Sequence, residues 1–317
     1  MSEIPNLISV VVPVYYGAES ITPLVERLLA VFRTLDHDCE ILLVNDGSQD
    51  RSWETIGRLA GAHPEVRGLN LLRNFGQHNA LLAGIRHARG AITVTMDDDL
   101  QNPPEEVPAL IRKLEEGHDV VYGVPDERRH GVFRDFASFA AKLALRVGLG
   151  YKHASKTSAF RAFRTRLRDA FAGFGAKYVS IDVLLTWGTT DFSWVVVEHK
   201  DREAGRSGYT LRKLMKHSMN MVTSFSTLPL RVAIMIGFVF TLFGAGVLLY
   251  SLAKFLVYGQ VVPGFTFLAS IIAIFSGVQL FSLGIIGEYI GQIHQRALEQ
   301  PCYVIAETTP NVPEVES

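Results

Sequence analysis

Two long stretches without a charged residue constrain the fold of this chain more than any other feature. Residues 232–253 and residues 261–287 contain no Asp, Glu, Lys or Arg. A helix of about 20 apolar residues crosses the hydrocarbon core of a bilayer, which is about 30 Å thick. A pair of buried helices in a soluble core is the alternative, although such cores rarely supply two runs of this length in succession. The pattern therefore predicts two transmembrane helices joined by a short loop.

The basic residues around these stretches predict their orientation. Those outside the hairpin are Arg212, Lys213, Lys216, Arg231 and Arg296, whereas residues 254–264 contain only Lys254. Cytoplasmic flanks of membrane helices carry the excess of Lys and Arg. We therefore expect a two-span protein of the inner (cytoplasmic) membrane, with both termini and the domain before the hairpin in the cytoplasm. Two helices enclose too little space for a pore within one chain.

The first 124 residues alternate between short apolar runs and amphipathic segments. Strands are predicted at residues 7–14, 40–44, 68–72, 91–96 and 119–123, and helices at residues 21–35, 52–62, 77–88 and 104–116. The last helix starts at Pro104 and is followed by Gly117, residues that are typical of helix ends. This alternation predicts an α/β fold with a doubly wound, mostly parallel sheet.

Three consecutive acidic residues follow the fourth predicted strand. Asp97, Asp98 and Asp99 come directly after Met96. Open α/β sheets bind ligands at the carboxyl ends of their strands, and adjacent carboxylates repel one another unless a cation compensates them. In an extended backbone Asp97 and Asp99 point to the same side, where their oxygens can share one Mg²⁺ or Mn²⁺. A solvated acidic turn is the alternative, but the flanking sequence favours a metal site.

The region between the two halves, residues 125–230, is basic and amphipathic. Apolar and basic residues recur at helical spacing in residues 130–150 and in residues 211–227. Amphipathic helices of this kind lie at membrane interfaces, with their cations near anionic head groups. Ordinary helices packed on the sheet remain an open alternative for the first segment. The second segment leads directly into the first uncharged stretch, which favours the interface.

These patterns divide the chain into residues 1–124, 125–230, 231–290 and 291–317, the last being a cytoplasmic tail whose residues 308–317 look disordered. The 31 basic and 32 acidic residues balance, so bulk charge indicates no nucleic-acid partner. The two cysteines, Cys39 and Cys302, lack metal-ligand spacing and suggest a reducing compartment. The amino terminus lacks the basic region of a cleavable signal peptide.

Several segments resemble one enzyme family. They are VVPVYYGAES at residues 11–20, VNDGSQDRS at 44–52, LLRNFGQHNALLAGI at 71–85 and DDDLQNPPEE at 97–106. They resemble inverting family 2 glycosyltransferases of the GT-A fold, in the branch similar to dolichol-phosphate mannose synthase and the bacterial polyprenyl-phosphate sugar transferases. The segment LFSLGIIGEYIGQIHQ at residues 280–295 also looks like the bacterial members, so the resemblance covers nearly the whole chain.

The resemblance implies that residues 1–124 bind a nucleotide-diphosphate sugar and that residues 125–230 lie on the acceptor side. It places the donor against Pro13, Tyr15, Val44, Asp46, Arg73, Asp97 and Asp98, with Asn74 beside Arg73 in the loop, and a divalent cation on Asp97, Asp99 and Gln101. The Mg²⁺ or Mn²⁺ ion would stabilise the departing nucleoside diphosphate. For Asp46 a role in capping or in a turn is the alternative. Asp98 occupies a position that is often a small residue in the family, and its implied contact is with the donor ribose.

Three positions depart from the family pattern. Relatives carry a Glu in a PxYNE pattern where this chain has Gly17, so Glu19 serves in its place or the contact is lost. The Asp that is the proposed base of a Gly-Asp-Phe-Arg element is replaced by Ala159. The Lys of a Ser-Lys-Tyr element is replaced by Gly208.

The missing base at Ala159 is compatible with activity toward a phosphate acceptor. The second pKa of a phosphate monoester is about 6, so the group is mostly dianionic at pH 7. General-base catalysis typically contributes about 10²–10⁴-fold, and less when the nucleophile is already ionised. Cations that position the acceptor then matter more, and the candidates are Arg161, Arg202 and Arg206, with surface arginines in weak ion pairs as the alternative. Asp182 is the nearest downstream acid that could replace the base.

The expected function is inverting transfer of a single sugar from a nucleotide-diphosphate sugar to a polyprenyl phosphate, such as undecaprenyl phosphate, at the cytoplasmic face of the membrane. The alternative is a catalytically degenerate membrane scaffold that binds nucleotide sugars, which the three departures favour and the acidic segment opposes. No Gln-x-x-Arg-Trp element occurs, which argues against a polymerase. Small residues in the membrane stretches permit close helix packing and suggest a homo-oligomer; they are Gly237, Gly244, Gly246, Gly277 and Gly284.

Overall fold

A mixed sheet forms the centre of the amino-terminal domain in the computed structural model, which describes residues 3–125, 156–176, 179–199, 228–258 and 264–310. Within these ranges the strands are β1 Ile4–Val14, β2 Asp38–Asn45, β3 Val66–Leu71, β4 Gly90–Thr95, β5 Val120–Pro125, β6 Arg161–Arg164, β7 Phe192–Val197 and β8 Ile305–Thr308. Their order in the sheet is β7-β5-β6-β4-β1-β2-β3-β8. The pairs β1–β2, β1–β4, β2–β3 and β5–β7 are parallel. The predicted mostly parallel sheet is confirmed.

Helices cover both faces of this sheet. They are α1 Ile21–Phe32, α2 Ser52–Ala62, α3 Gln77–His87, α4 Val107–Glu115 and α5 Ile181–Gly188, with 3₁₀ turns at Pro104–Glu106 and Thr165–Phe171. Each strand and helix predicted in the first 124 residues is present, with ends that differ by a few residues. The helix predicted at residues 104–116 begins as a 3₁₀ turn, in which the Glu106 amide donates to the Pro103 carbonyl oxygen at 3.0 Å. Pro104 has no amide hydrogen, so it can occupy the first turn of this segment but could not lie deeper in a helix.

The alternation of side chains along the strands builds a core on each face. In β1, Val10 and Val12 pack with α1, α2 and α4 on one face, whereas Val11 packs with α3 and α5 on the other. Strand residues of a sheet covered on both faces must be apolar in both directions. This explains the continuous run ISVVVPV, which carries no charged residue.

A short antiparallel strand, β6, separates β4 from β5. Arg161 lies opposite both Thr95 of β4 and Tyr122 of β5. Sequence analysis did not predict this strand, because RAFR has only four residues and little apolar character. Its position brings Arg161 to the carboxyl end of β4, directly before the acidic segment.

The chain after the membrane hairpin returns to the sheet, which corrects the prediction of a tail. Strand β8 pairs antiparallel with β3 at the edge of the sheet. The Gly68 amide donates to Thr309 Oγ1 at 2.9 Å, and the Thr309 amide donates to the Gly68 carbonyl oxygen at 3.1 Å. Trp53 Nε1 donates to Glu307 Oε2 at 2.7 Å. Residues 308–310 are therefore part of the domain edge, and residues 311–317 lie outside the described residues.

Two long helices form the predicted hairpin. They are α6 Leu228–Tyr258 and α7 Phe265–Ala297, and their candidate membrane spans are Leu230–Val257 and Ile274–His294. Only 6% of the first apolar window and 0% of the second are buried, so these helices are not the core of a soluble domain. The two helices contact each other at Phe240 and Phe275, whose ring centroids are 6.2 Å apart. The amphipathic segments predicted at residues 130–150 and 211–227 lie outside the described residues.

A buried ionic cluster lies toward the amino ends of β2 and β3. Glu40 Oε2 accepts from Arg67 Nη1 at 2.5 Å and from Arg89 Nε at 2.9 Å, and Glu40 Oε1 accepts from Ser9 Oγ at 2.5 Å. Burial alone would raise the pKa of Glu40, but the hydrogen bonds from Ser9 and the Arg89 amide, together with the Arg67 charge, hold it below its usual range. This cluster ties β1, β2 and β3 together at the end of the sheet opposite the acidic segment.

Candidate active site

A cavity of about 360 Å³ opens at the carboxyl ends of β1, β2 and β4. Strand β1 lies between β2 and β4, so the chain leaves β1 toward one side and reaches β4 on the other. Open α/β sheets bind ligands at such a reversal of strand order. The lining residues are Pro13, Val14, Tyr15, Asp46, Asn74, Gly76, Gln77, Asp97, Asp98 and Asp99. This cavity is named the donor pocket below, after the ligand that the sequence resemblance implies for it.

All three residues of the acidic segment line the donor pocket. Gln77 Nε2 donates to Asp97 Oδ1 at 2.5 Å, and the Gln101 amide donates to Asp99 Oδ1 at 3.2 Å. Leu100 has a φ of 58°, which turns the chain sharply after Asp99. The sequence prediction that these carboxylates lie together at one strand end is thus met by the geometry. Gln77, at the start of α3, was not predicted to take part.

The donor pocket offers a partial set of ligands for a divalent cation. Among the described residues, no group of three or more His, Cys, Asp or Glu side chains is arranged to hold a metal ion. Mg²⁺ is commonly bound by one or two carboxylates together with substrate phosphates and water, rather than by a complete protein cage. Asp97 and Asp99 therefore fit an ion that binds together with a diphosphate. Gln101, the third predicted ligand, contributes its backbone amide to Asp99 and does not line the pocket.

Asp46 fixes the loop that follows β3. Its Oδ1 accepts from the Phe75 amide at 2.7 Å and its Oδ2 accepts from the Gly76 amide at 2.9 Å. The residue is 2% exposed, and burial raises the pKa of its carboxyl group, which the two amides and Arg73 oppose. Asp46 thus shapes the wall of the donor pocket, as well as lining it. The sequence analysis gave a role in capping or in a turn as the alternative for Asp46, and these two hydrogen bonds to the loop correspond to that role.

Two serines hold the turn after β1 that forms the mouth of the pocket. Ser48 Oγ accepts from the Tyr16 amide and Ser52 Oγ accepts from the Gly17 amide, both at 3.1 Å. Tyr16 has a φ of 57°, and its ring lies edge-on to the exposed ring of Tyr15 at 4.6 Å between centroids. The turn is thereby held by two side chains from residues 44–52, and the exposed Tyr15 lies at the opening.

Arg161 and Asp182 are joined behind the acidic segment. Arg161 Nη1 forms an ion pair with Asp182 Oδ1, and Tyr122 Oη donates to the same oxygen at 2.9 Å. Arg161 Nε also donates to Thr95 Oγ1 at 3.1 Å, two residues before Asp97. The Arg161 side chain is 1% exposed and the Asp182 side chain 17% exposed. The sequence proposed separate roles for these two residues, whereas the structure makes them partners.

The sequence models of known families match both parts of the chain. Residues 9–172 match glycosyl transferase family 2, and residues 228–293 match the GtrB C-terminal hairpin. The chain belongs to glycosyltransferase family 2. Its C-terminal hairpin associates this family 2 glycosyltransferase with the membrane.

Curated relatives match this family 2 glycosyltransferase over nearly its whole length. It is 36% identical to the undecaprenyl-phosphate 4-deoxy-4-formamido-L-arabinose transferase of Pectobacterium carotovorum subsp. carotovorum, over 95% of this chain and 93% of the relative. It is 35% identical to the protein of the same name from Yersinia enterocolitica, over 99% of each chain.

A solved structure shares the fold of the soluble domain. Glucosyl-3-phosphoglycerate synthase from Mycobacterium tuberculosis, in complex with Mn²⁺, UDP-glucose and phosphoglyceric acid, superposes with a TM-score of 0.52 at 19% identity. The match covers 69% of this chain and 78% of that chain. This likeness confirms the GT-A fold of the family 2 glycosyltransferase.

Three residues predicted to contact the donor do not line the donor pocket. The Val44 side chain is fully buried in the core, where a Cβ built on Gly84 would lie 3.1 Å from Val44 Cγ2. Glu19 is exposed on the turn before α1. The Arg73 guanidinium lies over the Phe75 ring at 4.2 Å and lines a neighbouring cavity of about 550 Å³, between residues 72–76 and residues 300–304. Side-chain contacts from these residues to the donor stay predictions.

Two of the predicted acceptor-binding arginines lie outside the described part of the chain. Arg202 and Arg206 fall in residues 200–227, together with the departure at Gly208. Ala159, the other departure on the acceptor side, is described, and its carbonyl oxygen accepts from Thr95 Oγ1 at 2.8 Å. Position 159 therefore lies next to the end of β4, close to the acidic segment in the fold although 64 residues after Thr95 in the sequence.

Proposed function

We propose that this protein transfers one sugar, with inversion, from a nucleotide-diphosphate sugar to undecaprenyl phosphate or a similar polyprenyl phosphate at the cytoplasmic face of the membrane. The observation that carries the proposal is the donor pocket, lined by three carboxylates, in a chain that also bears its own membrane hairpin. The hairpin match and the names of the relatives support a lipid-linked acceptor.

The proposed reaction needs no protein base. A phosphate oxygen of the acceptor attacks C1 of the sugar from the face opposite the leaving group. The bond between C1 and the diphosphate oxygen breaks, and the nucleoside diphosphate leaves with that electron pair. Because the acceptor phosphate is mostly dianionic at pH 7, it carries no proton that must be removed before attack. Ala159, at the position where relatives have an acid, is consistent with this chemistry.

The roles of the donor-site residues follow from their positions. Asp97 and Asp99 would hold Mg²⁺ or Mn²⁺, which when bound supplies charge neutralisation for the leaving diphosphate. Gln101 would support this set through the hydrogen bond from its amide to Asp99. Tyr15 and Pro13 line the pocket and would flank the nucleobase, and Asp46 orders the loop of Phe75 and Gly76 that would lie along the donor.

We assign the binding of the acceptor phosphate to arginine side chains. Arg202 and Arg206 would bind the acceptor phosphate, since fixed positive charges both orient a phosphate and stabilise its approach to a second anionic group. Arg161 is covered and paired with Asp182, so its proposed contact with the phosphate requires this pair to open, or else Arg161 acts by holding the end of β4 in place.

The relatives suggest which donor to test first. Two of them are named as transferases of 4-deoxy-4-formamido-L-arabinose at 35–36% identity across almost the entire chain. We propose this sugar as the first candidate substrate. A homo-oligomer in the membrane is also proposed, because Gly237, Gly246, Gly277 and Gly284 meet no described atom within 4 Å of a built Cβ and leave room for a helix of a second chain, whereas Gly244 packs against Phe275 within the hairpin.

A scaffold that binds nucleotide sugars without transferring them is the second candidate. Ala159 and Gly208 favour it, because two side chains with family roles in chemistry are missing. The presence of three carboxylates in one pocket opposes it, since a binding protein has no need to stabilise a leaving diphosphate.

Transfer is tested with the full-length protein purified in detergent. The protein is incubated with Mn²⁺, a panel of radiolabelled nucleotide sugars and undecaprenyl phosphate, and the organic phase is counted. Label in the organic phase is expected with one donor, and none is expected when undecaprenol replaces its phosphate. Binding of a donor without transfer under any of these conditions would support the scaffold.

A further inference from the structure

Gly17 and Asp98 approach each other closely across the donor pocket. A Cβ atom built on Gly17 would overlap Asp98 Oδ2 and would lie 3.3 Å from Asp98 Cγ. The φ of Gly17 lies outside the left-handed region that favours glycine. The backbone therefore does not require glycine here. What requires it is the space taken by the carboxylate of Asp98, with Val14 Cγ1 as a second, less severe neighbour at 3.1 Å from the built Cβ.

The backbone at Gly17 is held from both sides and cannot easily move away. Its amide donates to Ser52 Oγ at 3.1 Å. Its carbonyl oxygen accepts from the amides of Ser20 and Ile21, each at 3.1 Å, at the start of α1. Because the atom that meets the built Cβ is the end of a flexible side chain, a side chain at position 17 would displace the Asp98 carboxylate while leaving the turn intact.

The surroundings of the Asp98 carboxylate differ from those of Asp97 and Asp99. Asp98 lies in the turn that follows β4, where its Oδ2 faces Gly17, whereas Asp97 accepts from Gln77 and Asp99 from the Gln101 amide. Its carboxylate still lines the donor pocket. A carboxylate only accepts hydrogen bonds, and beside a diphosphate it repels the phosphates. The groups of a donor that it can bind are therefore its hydroxyl and N–H groups.

We propose that Gly17 and Asp98 form one unit that positions the donor. The absence of a side chain at 17 sets the position of the Asp98 carboxylate, and this carboxylate accepts hydrogen bonds from hydroxyl or N–H groups of the nucleotide sugar. Gly17 is the positioning residue and a determinant of which donor fits. This inference rests on the proposed function, since it assigns the pocket to a nucleotide sugar.

The test is a double-mutant cycle on the full-length enzyme. Gly17→Ala and Asp98→Ala are each expected to raise the donor KM roughly 10- to 100-fold, the range of one lost hydrogen bond to a charged group. The acceptor KM and the thermal midpoint should change little. The double variant should be no worse than Asp98→Ala alone, because the added methyl group then has no carboxylate to displace. The matched control is Gly61→Ala, an exposed helix position with no atom within 4 Å of the built Cβ. It should leave both KM values unchanged, and any change in its thermal midpoint should be a small increase, because Ala favours a helix over Gly.

The cycle separates failure of the inference from failure of the proposed function. Wild-type protein that transfers no sugar from any donor overturns the proposed function. In that case the wild type, the two single variants and the double variant are compared for donor binding by thermal shift. Both single variants are expected to bind the donor more weakly than the wild type, and the double variant no more weakly than Asp98→Ala. Independent, additive effects of the two substitutions, unchanged donor affinity in both single variants, or no donor binding by the wild type would each overturn the Gly17–Asp98 unit.

Discussion

Arg161 and Asp182 form an ion pair behind the end of β4. The pair is extended by Tyr122, which donates to Asp182, and by Thr95, which accepts from Arg161. It therefore links β4, β5, β6 and the first turn of α5 at the point where the chain enters the acidic segment. A buried guanidinium needs such a partner, because an unpaired charge removed from water is costly.

Replacement of Asp182 by Asn should affect stability more than chemistry. The change leaves the Arg161 charge buried without its counter-ion, so we expect a loss of about 3 kcal/mol in the free energy of unfolding. Transfer by the folded protein at pH 7 should stay within about tenfold of wild type, because the acceptor phosphate needs no base. Thermal unfolding and initial rates measure the two effects.

The control for this variant is Asp191→Asn, which removes an exposed partner of His118 and should change the thermal midpoint little. A folded Asp182→Asn protein with a loss in rate of more than about 10³-fold would instead identify Asp182 as the base, since such a loss is typical of a missing general base.

Replacement of Asp99 by Ala should abolish transfer while leaving the protein folded and in the membrane. One of the two carboxylates proposed to hold the ion would be lost, so the leaving diphosphate would lose most of its charge neutralisation. We expect a decrease in kcat of at least about 10²-fold and a weaker stabilisation by Mn²⁺ with nucleoside diphosphate. The exposed Asp36, outside the donor pocket, provides the control Asp36→Ala. Substantial turnover by Asp99→Ala would refute the metal assignment.

The Glu40 cluster predicts how stability depends on pH. The pKa of Glu40 is lowered in the folded protein, so its contribution to stability is present above its unfolded value of about 4.3 and is lost as the pH falls through the folded value. The thermal midpoint of wild type should therefore fall more steeply below about pH 4.3 than that of Glu40→Gln. At pH 7 the variant should be strongly destabilised, because Arg67 is 1% exposed and loses its partner.

Glu116→Gln serves as the comparison for this experiment. The pKa of Glu116 is also lowered, by the hydrogen bond from Lys113, but the pair is exposed to solvent. Screening by water should leave the midpoint and its pH profile unchanged in this variant. Parallel profiles of wild type and Glu40→Gln across the acidic range would contradict the role assigned to Glu40.

Replacement of Thr309 by Val should weaken the attachment of the carboxyl-terminal strand. The change removes the hydroxyl that accepts from the Gly68 amide and leaves that buried amide without this partner, at a cost of about 1–3 kcal/mol. We expect a lower thermal midpoint and faster proteolysis after α7. Thr308→Val, at the exposed neighbouring position, is the matched control. Equal behaviour of the two variants would show that β8 contributes little to stability.

The orientation of the hairpin is tested by cysteine labelling in whole cells. A variant with Cys39 and Cys302 replaced receives a single cysteine at Gln260, between the two membrane helices, or at Asp36 in the soluble domain. A membrane-impermeant maleimide should label Gln260→Cys from outside, whereas Asp36→Cys should react only after permeabilisation. The reverse pattern would place the soluble domain on the outer side.

The sequence predicted the elements that depend on local pattern. The strands and helices of residues 1–124 follow from alternation and from end residues such as Pro104 and Gly117, and the three acids follow from their position after a buried strand. The hairpin follows from length and the absence of charge. In each case the information lies within a few neighbouring residues.

The relationships that the sequence did not predict join distant segments. Strand β8 has four residues and is stabilised by the free edge of β3, more than 230 positions earlier. The contact of Gly17 with Asp98 depends on how the turn after β1 meets the end of β4. The burial of Arg161 depends on its place between two strands. None of these has a local signal, because the register of one element against another sets them.

The return of the chain from α7 to β8 limits the distance between the enzyme domain and the lipid layer. Seven residues lie between Ala297, the end of α7, and Ile305, the start of β8. An extended chain of this length reaches about 25 Å. The β3 edge of the sheet is therefore held within about 25 Å of the end of α7. The membrane helices and this short connection therefore keep the enzyme domain close to the lipid layer, so that donor and acceptor meet at the membrane surface.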